Sequence, residues 1–332
     1  MRLLTPPAAA TGRTAAVGPL LPGLLVAAVI IGTLVGLASP PAGAVLATGT
    51  DALVLLLVFL LLFDVGLSGI RRFRRHRRVI VVALLINFLL VPLLAVLIAR
   101  LFGGDRPEVW LGLIIYLTAP CTDWFLGFTR LADGNVAAGS VLLPINLIAQ
   151  LLLCPVYWAV LGAADLGYRP EAIAITVGQW FVAPLLAAVL ARQLIRSLLP
   201  GAAVDVIIAT ARRLVPWTIA ALIVTIFAGH ADTLVAELPG LPRILGTVAA
   251  FFLIMLAIGE LVRRAGRFDR PDQVLLTMTT SARNAPLMIA IAAVTFPDRP
   301  AVVATIVAGM LIEFPHLIML TALLRRRPAA VR

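Results

Sequence analysis

The sequence predicts an all-α polytopic membrane protein with ten transmembrane helices arranged as two inverted five-helix repeats. Three observations predict it. The 332 residues are 61% hydrophobic and 13% charged, with a mean hydropathy of +1.07, well outside the range of soluble domains. Ten apolar runs have about the 20-residue length that a bilayer core requires. Two of them, at 117–128 and 279–287, are interrupted by proline and charge at corresponding places in the two halves.

Bounded by charge, Gly or Pro, the runs are 19–38, 51–70, 79–101, 109–130, 137–162, 171–194, 206–229, 242–262, 273–296 and 301–324. The first is followed by a small-residue tail, Ala-Ser-Pro-Pro-Ala-Gly-Ala, but its apolar core is long for a secretory signal and it reads as helix one. Helix two leads into Arg71, Arg72, Arg74, Arg75, Arg77 and Arg78 around His76, a positive-inside anchor. With both termini in the cytoplasm, the outer loops hold only Arg100, Arg106, Arg169, Arg243 and Arg299, which orients the chain in a cell membrane. Residues 1–195 hold the first repeat together with helix six (171–194), which begins the second. Residues 196–205 form a linker, and 206–332 carry helices seven to ten.

The interruptions hold the chemistry. In helix four, Pro120 removes a backbone donor and breaks the helix beside Cys121, Thr122 and Asp123. An ionised group at this depth costs several kcal/mol unless it faces a partner or a watery cavity. Helix nine carries Arg283, Asn284 and Pro286. Five helices per unit is an odd number, so the units are inverted, and helices four and nine are equivalents whose breaks meet near the midplane. Asp123 is then expected to pair with Arg283. Paired broken helices of this kind point to the binding site of a secondary transporter. Helix five adds Asn146 and Gln150, four apart on one face, and helix ten adds Glu313 just before Pro315.

Ala-Pro-Cys-Thr in helix four, Leu-Pro-Ile-Asn-Leu-Ile-Ala-Gln in helix five, Ser-Ala-Arg-Asn-Ala-Pro-Leu in helix nine and Leu-Ile-Glu-Phe-Pro in helix ten resemble the arsenite efflux permeases, of the superfamily of bile-acid/sodium symporters. The resemblance implies panel and core domains, with helices four and nine unwound and crossing in the core. It also implies a metalloid-transporting thiol at Cys121, in keeping with the affinity of trivalent arsenic for sulfur. One departure stands out: Pro286 aligns where those permeases carry a helix-nine carboxylate, and Arg283 where they carry the first residue of an Asn-Asn pair. Asp123 is the expected substitute, taking up a coupling proton. Protons are therefore the expected coupling ion and sodium the alternative. Glu313 resembles the family's last-helix acid, capping backbone freed by Pro315 or moving protons.

The formal net charge of +11 comes from 27 basic residues, all Arg, in short clusters between apolar runs. Such clusters set topology and do not imply a nucleic-acid partner. Two cysteines inside apolar runs, Cys121 and Cys154, support neither a disulfide framework nor a metal site, and no cofactor is expected. An intramembrane enzyme with Cys121 as nucleophile needs a general base, and no histidine lies near either break. The expectation is a transporter exporting arsenite or antimonite by proton antiport. The rival keeps the fold and transports a small organic anion held by Arg283. Oligomeric state is left open. Trp110, Trp158, Trp180 and Trp217 read as interfacial anchors, and the lone His230 and His316 as packing residues.

Overall fold

The computed structural model describes residues 21–64, 73–102, 106–122, 124–161, 170–236 and 238–326. Every regular element among them is helical, because at membrane depth a helix satisfies its own backbone polar groups. In order they are α1 (Leu21–Ala38), α2 (Pro40–Ala47), α3 (Thr50–Asp64), α4 (Phe73–Leu85), α5 (Val91–Phe102), α6 (Pro107–Thr118), α7 (Trp124–Leu131) and α8 (Val136–Leu161). There follow α9 (Pro170–Leu198), α10 (Gly201–Gly229), α11 (Ala231–Ala236), α12 (Leu241–Gly266), α13 (Arg270–Ser281), α14 (Ala285–Thr295) and α15 (Pro300–Arg326).

Among the described residues five helices are long and apolar enough to cross a membrane: Arg74–Phe102, Val136–Trp158, Gly201–Gly229, Leu241–Gly266 and Pro300–Arg325. Pro40–Ala47 with Thr50–Phe63, bent by 42°, makes a sixth. Each polar interruption splits its run into two short helices, α6 with α7 and α13 with α14. Three details escaped the apolar-run reading. The stretch after α1 is itself helical, with the Ser39 hydroxyl accepting from the Ala42 amide. A short helix, α11, follows α10. Between α4 and α5 a π-helical turn covers Ile86–Leu90, and the Tyr157 hydroxyl donates to the Phe88 carbonyl at 2.6 Å.

Packing divides the helices into two groups. In the first, α1, α2 and α3 pack around α10, and α9 lies against α3. Gly36 and Gly43 press on the Ala228 carbonyl, and a Cβ at Gly32 would lie 2.7 Å from the Val224 carbonyl, so only glycine permits this approach. In the second group α5, α8 and α15 surround α6, α12 packs on α13 and α15, and α7 lies on α13. The two groups meet where α14 touches α3 and α9 and where α8 touches α9.

One anchor is placed differently from its sequence reading. Trp158 is fully buried, whereas Trp217 is exposed; the Trp180 side chain lies outside the described residues. The packing role of His316 holds: its ring stacks on Phe252 with centroids 4.3 Å apart. At the end of α12, Glu260 bridges Arg263 and Arg264 at 2.8 Å each.

Candidate functional site at the helix crossing

The two breaks meet as a single antiparallel backbone bridge between Pro120 and Arg283. The Cys121 amide donates to the Ala282 carbonyl at 3.1 Å, and the Asn284 amide donates to the Ala119 carbonyl at 3.0 Å. Pro120 and Arg283 thus form the non-hydrogen-bonded pair of this ladder, whose own amide positions face away from the partner strand. Proline, which has no amide hydrogen, fits there without loss. The Arg283 amide does point outward, and it donates to Glu313 Oε1 at 2.8 Å.

Arg283 is fully buried, so its charge and its donors need partners within the protein. They find the carbonyls that helix ends leave without partners. Nη1 donates to the Leu117 carbonyl at the end of α6 at 2.9 Å. Nη2 donates to the Thr280 carbonyl and, at 3.4 Å, to that of Thr279, and Nε donates to the Ser281 carbonyl at 3.3 Å, all at the end of α13. One guanidinium therefore caps two converging helix C-termini, where partial negative charge collects. Its face lies over Phe251, 5.4 Å from the ring centre. Glu313 completes the arrangement: Oε2 accepts from the Tyr116 hydroxyl at 3.0 Å, while Oε1 holds the Arg283 amide. The backbone capped by Glu313 is that of the helix-nine break and not, as its place before Pro315 suggested, that of its own helix.

Of the residues singled out in the sequence, the crossing brings together Pro120, Cys121, Thr122, Arg283, Asn284 and Glu313. Pro286 lies in the first turn of α14, directly after the break. Cys121 is fully buried. Asn284 Nδ2 donates to the Thr122 hydroxyl at 3.1 Å, tying the breaks together by side chains as well. Asn146 Nδ2 donates to the Thr279 hydroxyl at 3.3 Å, which brings α8 to the same place. Gln150, one turn further along α8, is fully buried. Cys154, next on that helix, packs with its thiol 3.9 Å from the Thr118 carbonyl. Asp123 lies outside the described residues.

Several buried polar atoms here have no hydrogen-bond partner among the described residues: Asn146 Oδ1, both amide atoms of Gln150, Ser281 Oγ and Asn284 Oδ1; both amide atoms of Asn87, in the π-helical turn, are likewise without one. Such groups are uncommon in a finished core and suit a region that meets water, ions or a polar substrate. Asn87, Tyr116, Thr279 and Ser281 were not singled out from the sequence. Asn87, a solitary amide in the apolar run of helix three, carried a readable signal, whereas Tyr116 did not. Among the described residues no group of three His, Cys, Asp or Glu side chains is placed to hold a metal ion.

Residues 50–236, from α3 to α11, match the Sodium Bile acid symporter family, a stretch that includes the Cys121 break. The arsenical-resistance protein Acr3 of Corynebacterium glutamicum is 24% identical over 250 residues, covering 71% of this chain and 67% of that protein. That likeness supports the arsenite permease branch to which the motifs point. With over half of its length matched, the chain belongs to the Sodium Bile acid symporter family, and is a multi-pass membrane protein of that transporter kind.

Proposed function

We propose that the crossing of α6–α7 with α13–α14 is the translocation site of a secondary transporter that exports arsenite or antimonite by proton antiport. The observation that carries the reading is the place of Cys121. Its thiol belongs to a residue whose own amide ties the helix-four break to the helix-nine break, so a metalloid bonded there would be sensed directly by both. The likeness to an arsenical-resistance protein supports the same substrate class. On this reading the protein has ten transmembrane helices in two inverted repeats. The α1–α3, α9, α10 group is the panel and the group around α6 is the core that rocks against it, with both termini cytoplasmic.

The coupling proton rides on a carboxylate of the crossing. Asp123 is the group assigned to that role from sequence, and Glu313, fully buried at the helix-nine break, is the other candidate. The organic-anion reading loses ground because the Arg283 donors are engaged by carbonyls of Leu117, Thr279, Thr280 and Ser281. The test is arsenite accumulation in everted membrane vesicles, with and without an imposed proton gradient. Wild-type accumulation should require the gradient and vanish in Cys121→Ala, and Asp123→Asn and Glu313→Gln should identify the acid that couples it. Accumulation no greater than in empty vesicles would overturn the metalloid assignment.

A further inference from the structure

The outer-loop arginines Arg100 and Arg243 have no role in the crossing, yet two different elements bring them to one groove. Arg100 is in the last turn of α5, and Arg243 is in the first turn of α12, which packs alongside. The groove has a volume of about 620 Å³, and Leu101, Phe102, Gly246, Thr247 and Ala250 complete its walls. Among the described residues neither arginine forms an ion pair, while Arg299, just before α15, is bridged to Glu108 at 2.8 Å. The Arg100 guanidinium is held over the Trp110 ring, 4.9 Å from its centre, which fixes its position without pairing its charge with any described carboxylate.

We propose that this groove between α5 and α12 binds an anionic membrane phospholipid, with Arg100 and Arg243 holding the phosphodiester head group. Charge and surface together select the occupant. Two guanidinium groups with no acidic partner among the described residues suit a phosphate. The volume falls in the range of small-molecule sites and exceeds what a bare ion would fill. The walls turn apolar at once at Leu101 and Phe102, and exposed Leu97 and Leu93 on α5 with Leu253 on α12 continue that surface into the hydrocarbon, as acyl chains require. Gly246 keeps the groove open: a Cβ there would meet nothing within 4 Å, so the absence of a side chain serves no internal packing.

The experiment uses the purified full-length protein in detergent with phosphatidylglycerol, with phosphatidylcholine of the same chains, or with inorganic phosphate as competitor, and retained lipid is counted by native mass spectrometry. Two arginines beside an anionic head group correspond to a preference of about thirty-fold for phosphatidylglycerol. That preference should shrink in high salt and disappear in the Arg100→Gln/Arg243→Gln double variant. It should survive in Arg100→Lys/Arg243→Lys. Gly246→Leu fills the groove without touching the fold and should reduce retention with both arginines present. Equal retention of the two lipids, a preference that persists in the glutamine double variant, or full displacement by an equal concentration of inorganic phosphate would each overturn the proposal.

Discussion

Replacing Glu313 by leucine should separate the structural from the titratable role of this acid. The carboxylate accepts two buried donors, the Arg283 amide at 2.8 Å and the Tyr116 hydroxyl at 3.0 Å. Leucine leaves the amide with no acceptor, a loss of about 1–3 kcal/mol. The tyrosine loses less, because its hydroxyl already lies 3.1 Å from the Gly309 carbonyl. Together the change should cost about 2–4 kcal/mol. The lower half of that range is favoured in a bilayer or micelle, where unfolded helices find other partners. Glutamine keeps one oxygen for the amide and should stay within about 1 kcal/mol of wild type. Unfolding by SDS titration, followed by tryptophan fluorescence, measures both variants. If Glu313→Leu proves as stable as Glu313→Gln, the carboxylate is not the cap of the helix-nine break and the account of the crossing fails.

Other expectations follow from the same contacts. A Cβ at Gly112 would lie 2.7 Å from Thr305 Cβ and 2.8 Å from the Val302 carbonyl, so Gly112→Val should separate α6 from α15 and cost about 1–3 kcal/mol in SDS titration. Gly127, with nothing within 4 Å, is the matched control, and Gly127→Ala should be neutral or gain up to about 1 kcal/mol. At the end of the molecule that carries the first turn of α13, partial burial raises the Asp272 carboxyl above its ordinary value of 3.8, against the lowering effect of the Asn135 amide bonded at 2.7 Å. A raised carboxyl adds stability below its ordinary value, and that contribution is lost as pH rises through the folded value. Asp272→Asn should therefore melt higher than wild type at neutral pH, with the gap closing as pH falls below about 4. An unchanged gap across that range would refute it. The Arg299–Glu108 bridge is 40% and 21% exposed on its two sides, so Glu108→Gln should cost under about 1 kcal/mol, and less in high salt.

Composition and pattern determined much of this protein without the tertiary structure. Long runs of Leu, Val, Ile and Ala can satisfy their backbone in lipid only as helices, so α8, α10, α12 and α15 fall within a residue to a few of the apolar runs. Pro120 and Pro286 marked both breaks, because a missing amide hydrogen or a helix-starting ring is a local property. Cys121, Thr122, Asn284 and Glu313, which the fold brings to the crossing, could be singled out in sequence because each is a polar or thiol group in an apolar setting. Which donor meets which acceptor was decided only by the fold. Sequence suggested Asp123, outside the described residues, as a partner for Arg283; it did not foretell that the guanidinium caps Leu117, 166 residues away, together with the end of its own helix. Glu313 reaches across to the Arg283 amide and to Tyr116, 197 residues away, instead of to its own proline. These choices follow from the register of one antiparallel bridge, which turns the Pro120 and Arg283 amide positions outward. Such a register is set by how two distant helices pack, and no local propensity encodes it.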